Sequence, residues 1–590
     1  MLAFAMMFLV VMAMQYFLPK PQPQTQTTPA PAAAPAQINS SSGTTAAPIK
    51  SPTQVAAQAT KTKATSKAPA VELKQAAAES ETVIENKLYK ITFTNKGAQV
   101  GSWILKDQIG ADNKPLDLVH KQAAAQYGYP LSLFTYDAGL REKLNSILYV
   151  ADNKKDPSGQ TLTYEYIDAS TTVRKIFRFD DSYVIHIETR VTQDGNVVSS
   201  YPAWPAALGD QRQPYSYASS RIDVAHDDTV DRKSAVSGFF LTGRTFISNG
   251  NTLNGPFYWA GLVDQYFGAI FLPDDPANAA LIQFHKLIPR DPNGQDPEKK
   301  LKETYAVLGV AVGSTKGTSS LRLFAGPKDL KTLQSVHGLV PGEAPSAHPT
   351  GPDLEGAVEF GMFGFIAKPL FLGLRFIHDN IVANWGWSIV LMTVLINLVL
   401  FPLRWTSMKS GLMMQKVQPE MNAINERVKG LPLTDPRRQE STLKIQELYK
   451  REGINPLAGC LPILLQMPFL YAFYAMISTT MELLNAHWLW VHDLSSPDSI
   501  HLLPVLLVVS MFVMQRITPT PGMDQVQARM MQIMMPLMLG GITWALPAGL
   551  GVYWVASNLM GYVLQLYVNN TKFAKEIRAQ VASRQAKRKK

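Results

Sequence analysis

Two rhythms of apolar and polar residues run along the chain. Between about Val71 and Gly342 apolar positions recur every second residue in short runs. Tyr89, Ile91 and Phe93 alternate with Lys90, Thr92 and Thr94 before Asn95-Lys96-Gly97 supplies a turn, and Leu162, Tyr164 and Tyr166 repeat the pattern, as do Tyr183, Ile185 and Ile187. Period two with turn punctuation predicts a large antiparallel β-sandwich over 71–345. From Phe360 the step changes to three and four: Phe360, Phe363, Ala367, Leu370, Leu374 and Ile377 form one stripe, with Lys368, Arg375 and Asp379 on another face. That spacing predicts an amphipathic helix over 360–380, suited to lying in a membrane interface.

Long apolar runs follow. Trp385 to Arg404, 457–480, His501 to Arg516, Arg529 to Leu546 and Ala548 to Val568 each read as a span, and Met1 to Leu18 as a further, N-terminal one. The last lacks a positive n-region and a small-x-small cleavage site, so it is read as an uncleaved anchor, with room for a short basic leader ahead of it. Residues 19–70, rich in Pro, Ala, Gln, Thr and Ser, read as a disordered tether. The fold class expected is therefore multi-domain, a polytopic α-helical membrane bundle of six spans beside a large extracytoplasmic antiparallel β-sandwich. The run at 501–516 is short, roughly 22 Å of helix against a hydrocarbon core of about 30 Å, and short spans thin the bilayer.

The span 457–480 is unusual in its interruptions. Pro456, Pro462 and Pro468 stand six apart with Gln466 between the last two. An interior proline deletes a backbone hydrogen bond and frees the carbonyl four residues earlier, here those of Ala458 and Leu464. Within hydrocarbon such groups need protein or water to satisfy them, so this helix is expected to face a wet or polar cavity. A simple kink is the competing account. Other polar residues lie inside spans: Thr393 and Asn397, Thr543, and Ser557, Asn558 and Gln565, with Arg404 seven residues after Asn397 and so expected on the same helical face. Such groups tend to face a bundle interior or water, or to glue helices together.

Charge sets the orientation. The net charge is +10, and from Ile381 onward 20 Lys and Arg stand against 11 Asp and Glu. The 404–452 loop holds ten Lys or Arg, the tail from Lys572 eight, and the loops 482–500 and 546–548 none. Positive-inside reasoning puts the basic segments, both termini included, in the cytoplasm and the β-domain outside. The loop 405–453 reads as a helical hairpin: Met414, Val417, Met421, Ile424 and Val428 form one stripe, Gly430 to Pro432 break it, and Asp435-Pro436 restart a helix as cap and first residue. The two helices either pair or offer their stripes to a client. Eighteen of the 23 methionines lie from Met362 on, and Met413, Met414 and Met421 sit on the hairpin, where a flexible, polarisable surface suits varied apolar segments.

Candidate chemistry changes the picture little. There is no phosphate-binding G-x-x-x-x-G-K-[ST], no H-E-x-x-H and no G-x-S-x-G. A single cysteine, Cys460, excludes disulfides within the chain and a cysteine metal site. His186, Asp227 and Asp228 have no metal-like or acid–base spacing, and His487 and His492, among Trp488 and Trp490, read as interfacial anchors. No catalytic residue, metal ligand or cofactor is expected.

The motifs FIAKPLF (365–371), NWGWSIVLMT (384–393), the run from Tyr449 through GINPLAGCLPILLQMP, WVHDLS (490–495), VASNL (555–559) and FAGPKDL (324–330) resemble the bacterial YidC membrane-protein insertase family. The likeness covers essentially the whole chain. It implies a five-helix insertase core over 385–568 enclosing a hydrophilic groove open to cytoplasm and lipid, with a basic cytoplasmic tail at 569–590. It also implies a monomer of the bacterial inner membrane whose partners are nascent membrane proteins, the Sec translocon, the ribosome and membrane lipids. The groove residues expected are Asn397, Thr393, Arg404, Gln466, Thr543, Asn558 and Gln565. Client or ribosome contacts are expected at Met413, Met414, Met421, Lys587, Arg588, Lys589 and Lys590, although a plain topology signal or anionic lipid accounts for the basic tail as well. One departure stands out: the family's second span carries an arginine where this chain has Asn397. Either the groove works by hydrogen bonding and hydration, or Arg404 supplies positive potential from the cytoplasmic end.

The function expected is that of a passive insertase driven by hydrophobic transfer, roughly 25 cal/mol per Å². A small-solute transporter is the first rival, but it calls for inverted repeats and intramembrane charges, which are not found. A membrane-anchored glycan-binding protein is the second, and rests on fold analogy alone.

Overall fold

The computed structural model describes residues 73–589 apart from 111–113, 158, 210–219, 227–228, 235–244, 248, 290–303, 345–348, 429, 433–434, 455–460 and 518–524. The anchor and tether read at 1–18 and 19–70 lie outside the described residues, as do Asp227, Asp228, Pro456, Cys460 and Lys590.

Alternation becomes strand where it was expected. In Tyr89–Thr94 the side chains of Tyr89, Ile91 and Phe93 are buried and Lys90 is exposed. The turn that follows needs glycine: Gly97 has φ +69°, and a Cβ there would lie 2.5 Å from the Asn145 carbonyl oxygen. Three sheets result. Four strands, Glu81–Glu85, Tyr89–Thr94, Gln99–Ile109 and Pro115–Asp117, pair in sequence order. An eleven-stranded sheet holds Arg221–His226, Trp259–Val263, Phe267–Pro273, Ser319–Pro327, Val184–Gln193 and Thr171–Phe179 as consecutive neighbours. A five-stranded sheet is built on the long pair Ala279–Pro289 and Thr304–Ser314. Trp103 from the first sheet, Tyr164 and Leu262 from the second, and Leu281 and Val310 from the third share one apolar core.

Nine helices of the described residues follow: α1 (Gly364–Asn380), α2 (Trp385–Val399), α3 (Phe401–Arg427), α4 (Pro436–Arg451), α5 (Leu461–Thr479), α6 (Leu502–Ile517), α7 (Gln525–Thr543), α8 (Ala548–Asn570) and α9 (Lys572–Lys589). Their starts obey local chemistry. Asn384 caps α2 by accepting from the Trp387 N–H, and Asp435 caps α4 ahead of Pro436. Gly386 lets α2 approach the loop after α5, since a Cβ there would lie 2.1 Å from the Trp488 ring.

The span expected from Trp385 to Arg404 is not one helix. It ends at Val399, and α3 leaves at 63° to α2. Pro402 explains the break, because it has no N–H to offer the Leu398 carbonyl and its ring crowds the preceding turn. Arg404 therefore belongs to α3, and the expectation that it shares a helical face with Asn397 is wrong. Among the described residues no single helix is long and apolar enough to cross a membrane, while the bent pair α2–α3 passes that test of length and composition together.

The stripe on α1 also has another destination. Ala367, Leu370 and Leu374 are buried in a cluster with Ile389 of α2 and Phe473 of α5, and Ile377 is buried as well, so this stripe packs inward on the helices. A second apolar set, Met362, Phe365, Leu372 and Phe376, is exposed instead. The same cluster runs on into the β-domain through Val358, Leu354, Trp259 and Ile270, so β-domain and helices are joined by continuous apolar packing.

Candidate functional site

The polar groups of interest gather where α3, α5 and α8 meet. Arg404, in the first turn of α3, donates from a terminal guanidinium nitrogen to Gln466 Oε1 at 2.6 Å. Gln466 on α5 passes the polarity on: its Nε2 donates to Tyr553 Oη at 2.9 Å and Ser557 Oγ at 3.3 Å on α8. Tyr553 and Ser557 are one helical turn apart and face the same side. Gly561, one turn further, lies beside Arg404: a Cβ there would be in ordinary van der Waals contact, 3.7 Å from an Arg404 nitrogen. The break at Leu400 is what aims Arg404 into this junction. Among the described residues Arg404 forms no ion pair: its hydrogen-bond partner is a neutral carboxamide. Tyr553 is nearly fully buried, stacked on Phe473 with ring centroids 4.1 Å apart, which fixes its hydroxyl.

The other expected groove residues are not brought into this chain of bonds. Thr393 donates to the Ile389 carbonyl of its own helix at 2.7 Å. Asn397 is buried and donates from Nδ2 to Thr393 O at 2.7 Å, leaving its Oδ1 with no partner among the described residues. Thr543 donates to Gly540 O, and Gln565 donates to Asn569 Oδ1, each within its own helix. Asn558 ties α8 to α6 through Ser510 Oγ at 3.0 Å. Tyr553 was not singled out from the sequence. The signal was present: Tyr553, Ser557, Gly561 and Gln565 recur every fourth residue and form one buried stripe of α8.

The hairpin methionines have a structural task. Met414 and Met421 are buried with Val417, Leu448 and Ile454, Met413 packs at their edge, and Tyr449 Oη donates to Met421 Sδ at 3.2 Å. The hairpin helices pair with each other, held also by Lys416–Glu452 at 2.9 Å and Arg451–Glu420 at 2.8 Å. Met414 and Met421 are therefore closed to a client, correcting the expectation that they contact one. The side chains of Lys587, Arg588 and Lys589, and Lys590 altogether, lie outside the described residues. A hollow of 410 Å³ opens between α3 and α9, lined by Gln415, Gln418, Asn422 and Arg578 among others, and Arg404 is not in its lining.

The loop after α5 closes the other end of the bundle. Trp488 and Val491 exchange both backbone hydrogen bonds at 2.8 Å, and Asp498, buried, accepts from the Leu503 N–H at 2.8 Å. The first residues of α8 bind the same loop: Ala548 N–H donates to Ser496 O at 2.7 Å and Gly549 N–H to Leu494 O at 2.8 Å. His487 and His492 lie on this loop with ring centroids 5.7 Å apart. No group of three or more metal-binding side chains occurs among the described residues. The junction offers a cation, a carboxamide and two hydroxyls, a set suited to binding polar matter rather than breaking bonds.

Comparison with known proteins now bears on this geometry. Residues 81–372 match the family model described as the YidC periplasmic domain, and residues 376–576 the one described as the 60Kd inner membrane protein. The membrane protein insertase YidC of Ralstonia nicotianae is 32% identical over 512 residues, covering 84% of each chain. That of Polynucleobacter asymbioticus is 31% identical over 500 residues, covering 82% of this chain and 84% of its own. Among solved structures, an active YidC insertase crystal structure with its first transmembrane domain resolved is 17% identical over 85% of this chain and 95% of its own, with a TM-score of 0.35.

Proposed function

The chain belongs to the YidC family of membrane protein insertases, and from that premise we propose that it moves apolar segments of nascent membrane proteins into the inner membrane. The polar part of a client is received at the junction of Arg404, Gln466, Tyr553 and Ser557. The observation that carries this reading is the half-buried guanidinium of Arg404 whose hydrogen-bond partner is neutral. A cation left without a counter-charge in a low-dielectric setting attracts carboxylates and carbonyls. Arg404 thus supplies the positive potential at a site where Asn397 stands in the span before it, and the neutral amide and hydroxyls offer exchangeable hydrogen bonds.

The driving force is removal of the client's apolar surface from water, roughly 25 cal/mol per Å², so one span of ordinary composition repays opening the polar junction without nucleotide hydrolysis. No covalent bond is made or broken. The charge asymmetry of the loops supports six spans, cytoplasmic termini and a β-domain outside. The likeness to the family extends the reading to action alone or beside the Sec translocon, with ribosome and lipid as further partners and the monomer as the working form.

The test is insertion of a short client with an acidic translocated segment into liposomes carrying the full chain. Arg404→Gln is expected to slow it by about tenfold, the effect of roughly one charge-assisted hydrogen bond. A client whose segment has no charge is expected to lose less. Equal rates for both variants and both clients would remove Arg404 from the mechanism.

A further inference from the structure

The helix that presents Gln466 is fastened to the β-domain at its other end. Ser478, twelve residues on and so about 18 Å along α5, accepts through its carbonyl from Gln265 Nε2 at 2.8 Å. Gln265 is itself buried in the β-domain and shares that nitrogen with Tyr266 Oη at 2.7 Å. Met481, just past α5, is buried in the apolar core of the β-domain with Tyr266 and Phe267, and Leu484 packs at its edge. Between these two apolar residues stands Glu482. The charged groups facing it are Asp329, which caps the short helix Leu330–Gln334 of the β-domain, and Arg375 of α1. Two bodies and a loop thus converge on one carboxyl.

We propose that Glu482 is a proton-operated latch that, with Gln265 and Met481, holds α5 at the tilt placing Gln466 between Arg404 and Tyr553. The inference rests on the insertase reading for its consequence, not for its geometry. With a proton bound, Glu482 is neutral beside Asp329 and stays docked. When it releases the proton to water, a second negative charge stands in a half-buried seam next to the first, partly offset by Arg375 and the Leu330 N–H. The loop then favours solvent, and α5 loses its fixed end. Burial, then the Asp329 charge, pushes this carboxyl up to about 7. The docked form therefore holds more protons than the undocked form between the ordinary carboxylate range and about 7. The latch is strongest at acid pH and weakens as pH rises through about 7.

The experiment uses the full chain in liposomes, with the medium on the Glu482 side at about pH 6 or about pH 8. Wild-type insertion is expected to fall several-fold between them, a shift of one pKa unit being about tenfold in population. Glu482→Gln is expected to insert equally well at both, and Gln265→Ala to insert less at both while keeping the wild-type ratio. Hydrogen exchange over 476–484, compared between wild type and Glu482→Gln at the same pH, reads the latch without insertion: faster in wild type at both values, and by the wider margin near pH 8. Equal exchange at both values overturns the latch, whatever the insertion result. The expected exchange difference with no insertion at either pH overturns the insertase reading and leaves the latch standing.

Discussion

Two arginines, one buried in the β-domain and one half-buried among the helices, are treated in opposite ways. Arg221, in the β-domain, is 2% exposed and wholly compensated: its Nε donates to both oxygens of Asp223 at 2.8 and 3.0 Å, and it donates to the Ala357 carbonyl at 2.7 Å with Glu359 at 3.5 Å. Arg404, in the helical half, meets a neutral amide. A charge that brings its own counter-charges closes a joint. One left with neutral partners keeps its field uncompensated, which is the ground of the role proposed for it. Arg221 stitches the eleven-stranded sheet to the segment leading into α1, whereas Arg404 meets only neutral groups at a junction of three helices.

The sharpest way to break this contrast is to make the closed site resemble the open one. Asp223→Asn leaves Arg221 buried with its main counter-charge gone, and is expected to cost about 3–5 kcal/mol. Chemical denaturation of the purified chain, followed through the β-sheet signal, measures it. Arg404→Gln is expected to leave that transition within about 0.5 kcal/mol, because no partner is stranded without its charge. If the two variants destabilise alike, the division between structural and receptive arginine fails.

A third cation refines the comparison. Lys175 is fully buried and donates to the carbonyls of Gly97, Ala98 and Leu131 at 3.1, 2.7 and 2.7 Å, pinning two turns of the β-domain. Desolvation pushes its ammonium down to about 7. The native state then holds fewer protons than the unfolded chain between about 7 and the ordinary lysine range, so stability rises with pH across that window. Lys175→Met is expected to flatten the rise and to cost about 2 kcal/mol from orphaned carbonyls. Denaturation midpoints at several pH values check both. Slighter effects are expected elsewhere. Asn397→Leu removes a carboxamide whose Oδ1 has no partner among the described residues, so stability should hold within about 1 kcal/mol, and insertion of an acidic client should drop about twofold. Unchanged insertion would mean that Asn397 has no part in handling the client. Met421→Leu keeps the hairpin core filled and should cost under about 1.5 kcal/mol with insertion unaltered.

What was legible in the sequence was whatever a short window carries. The alternation at Tyr89, Ile91 and Phe93 foretold strand and facing, and Asp435-Pro436 foretold the start of α4. The pairing of Arg404 with Gln466 was only half visible: both residues were picked as polar intrusions, but their contact depends on the turn at Leu400. Pro402 stood in plain view, yet the apolar run around it reads as one span until the lost hydrogen bond is weighed. Tyr553 was missed because a tyrosine in an apolar helix looks like core until its four-residue companions are aligned. The joint between halves was illegible. Arg221 and Ala357 are 136 positions apart, and Gln265 and Ser478 are 213, distances over which no periodicity speaks. The stripes on α1 and the hairpin were found, but the choice between the hairpin's two expected partners, its own second helix or a client, needed the structure, since apolar spacing names a face but not what covers it.

The sharp corner at Leu400 has a mechanical corollary. Because α3 carries both Arg404 and the hairpin's first arm as far as Arg427, with Pro419 as an interior interruption near its far end, the hairpin and the guanidinium ride on one helix. Any force applied at the tip, by a docking machine or an emerging chain, swings about the pivot and arrives at the cation as torque. A glycine pair placed midway along that helix would let the tip move while the cation stood still.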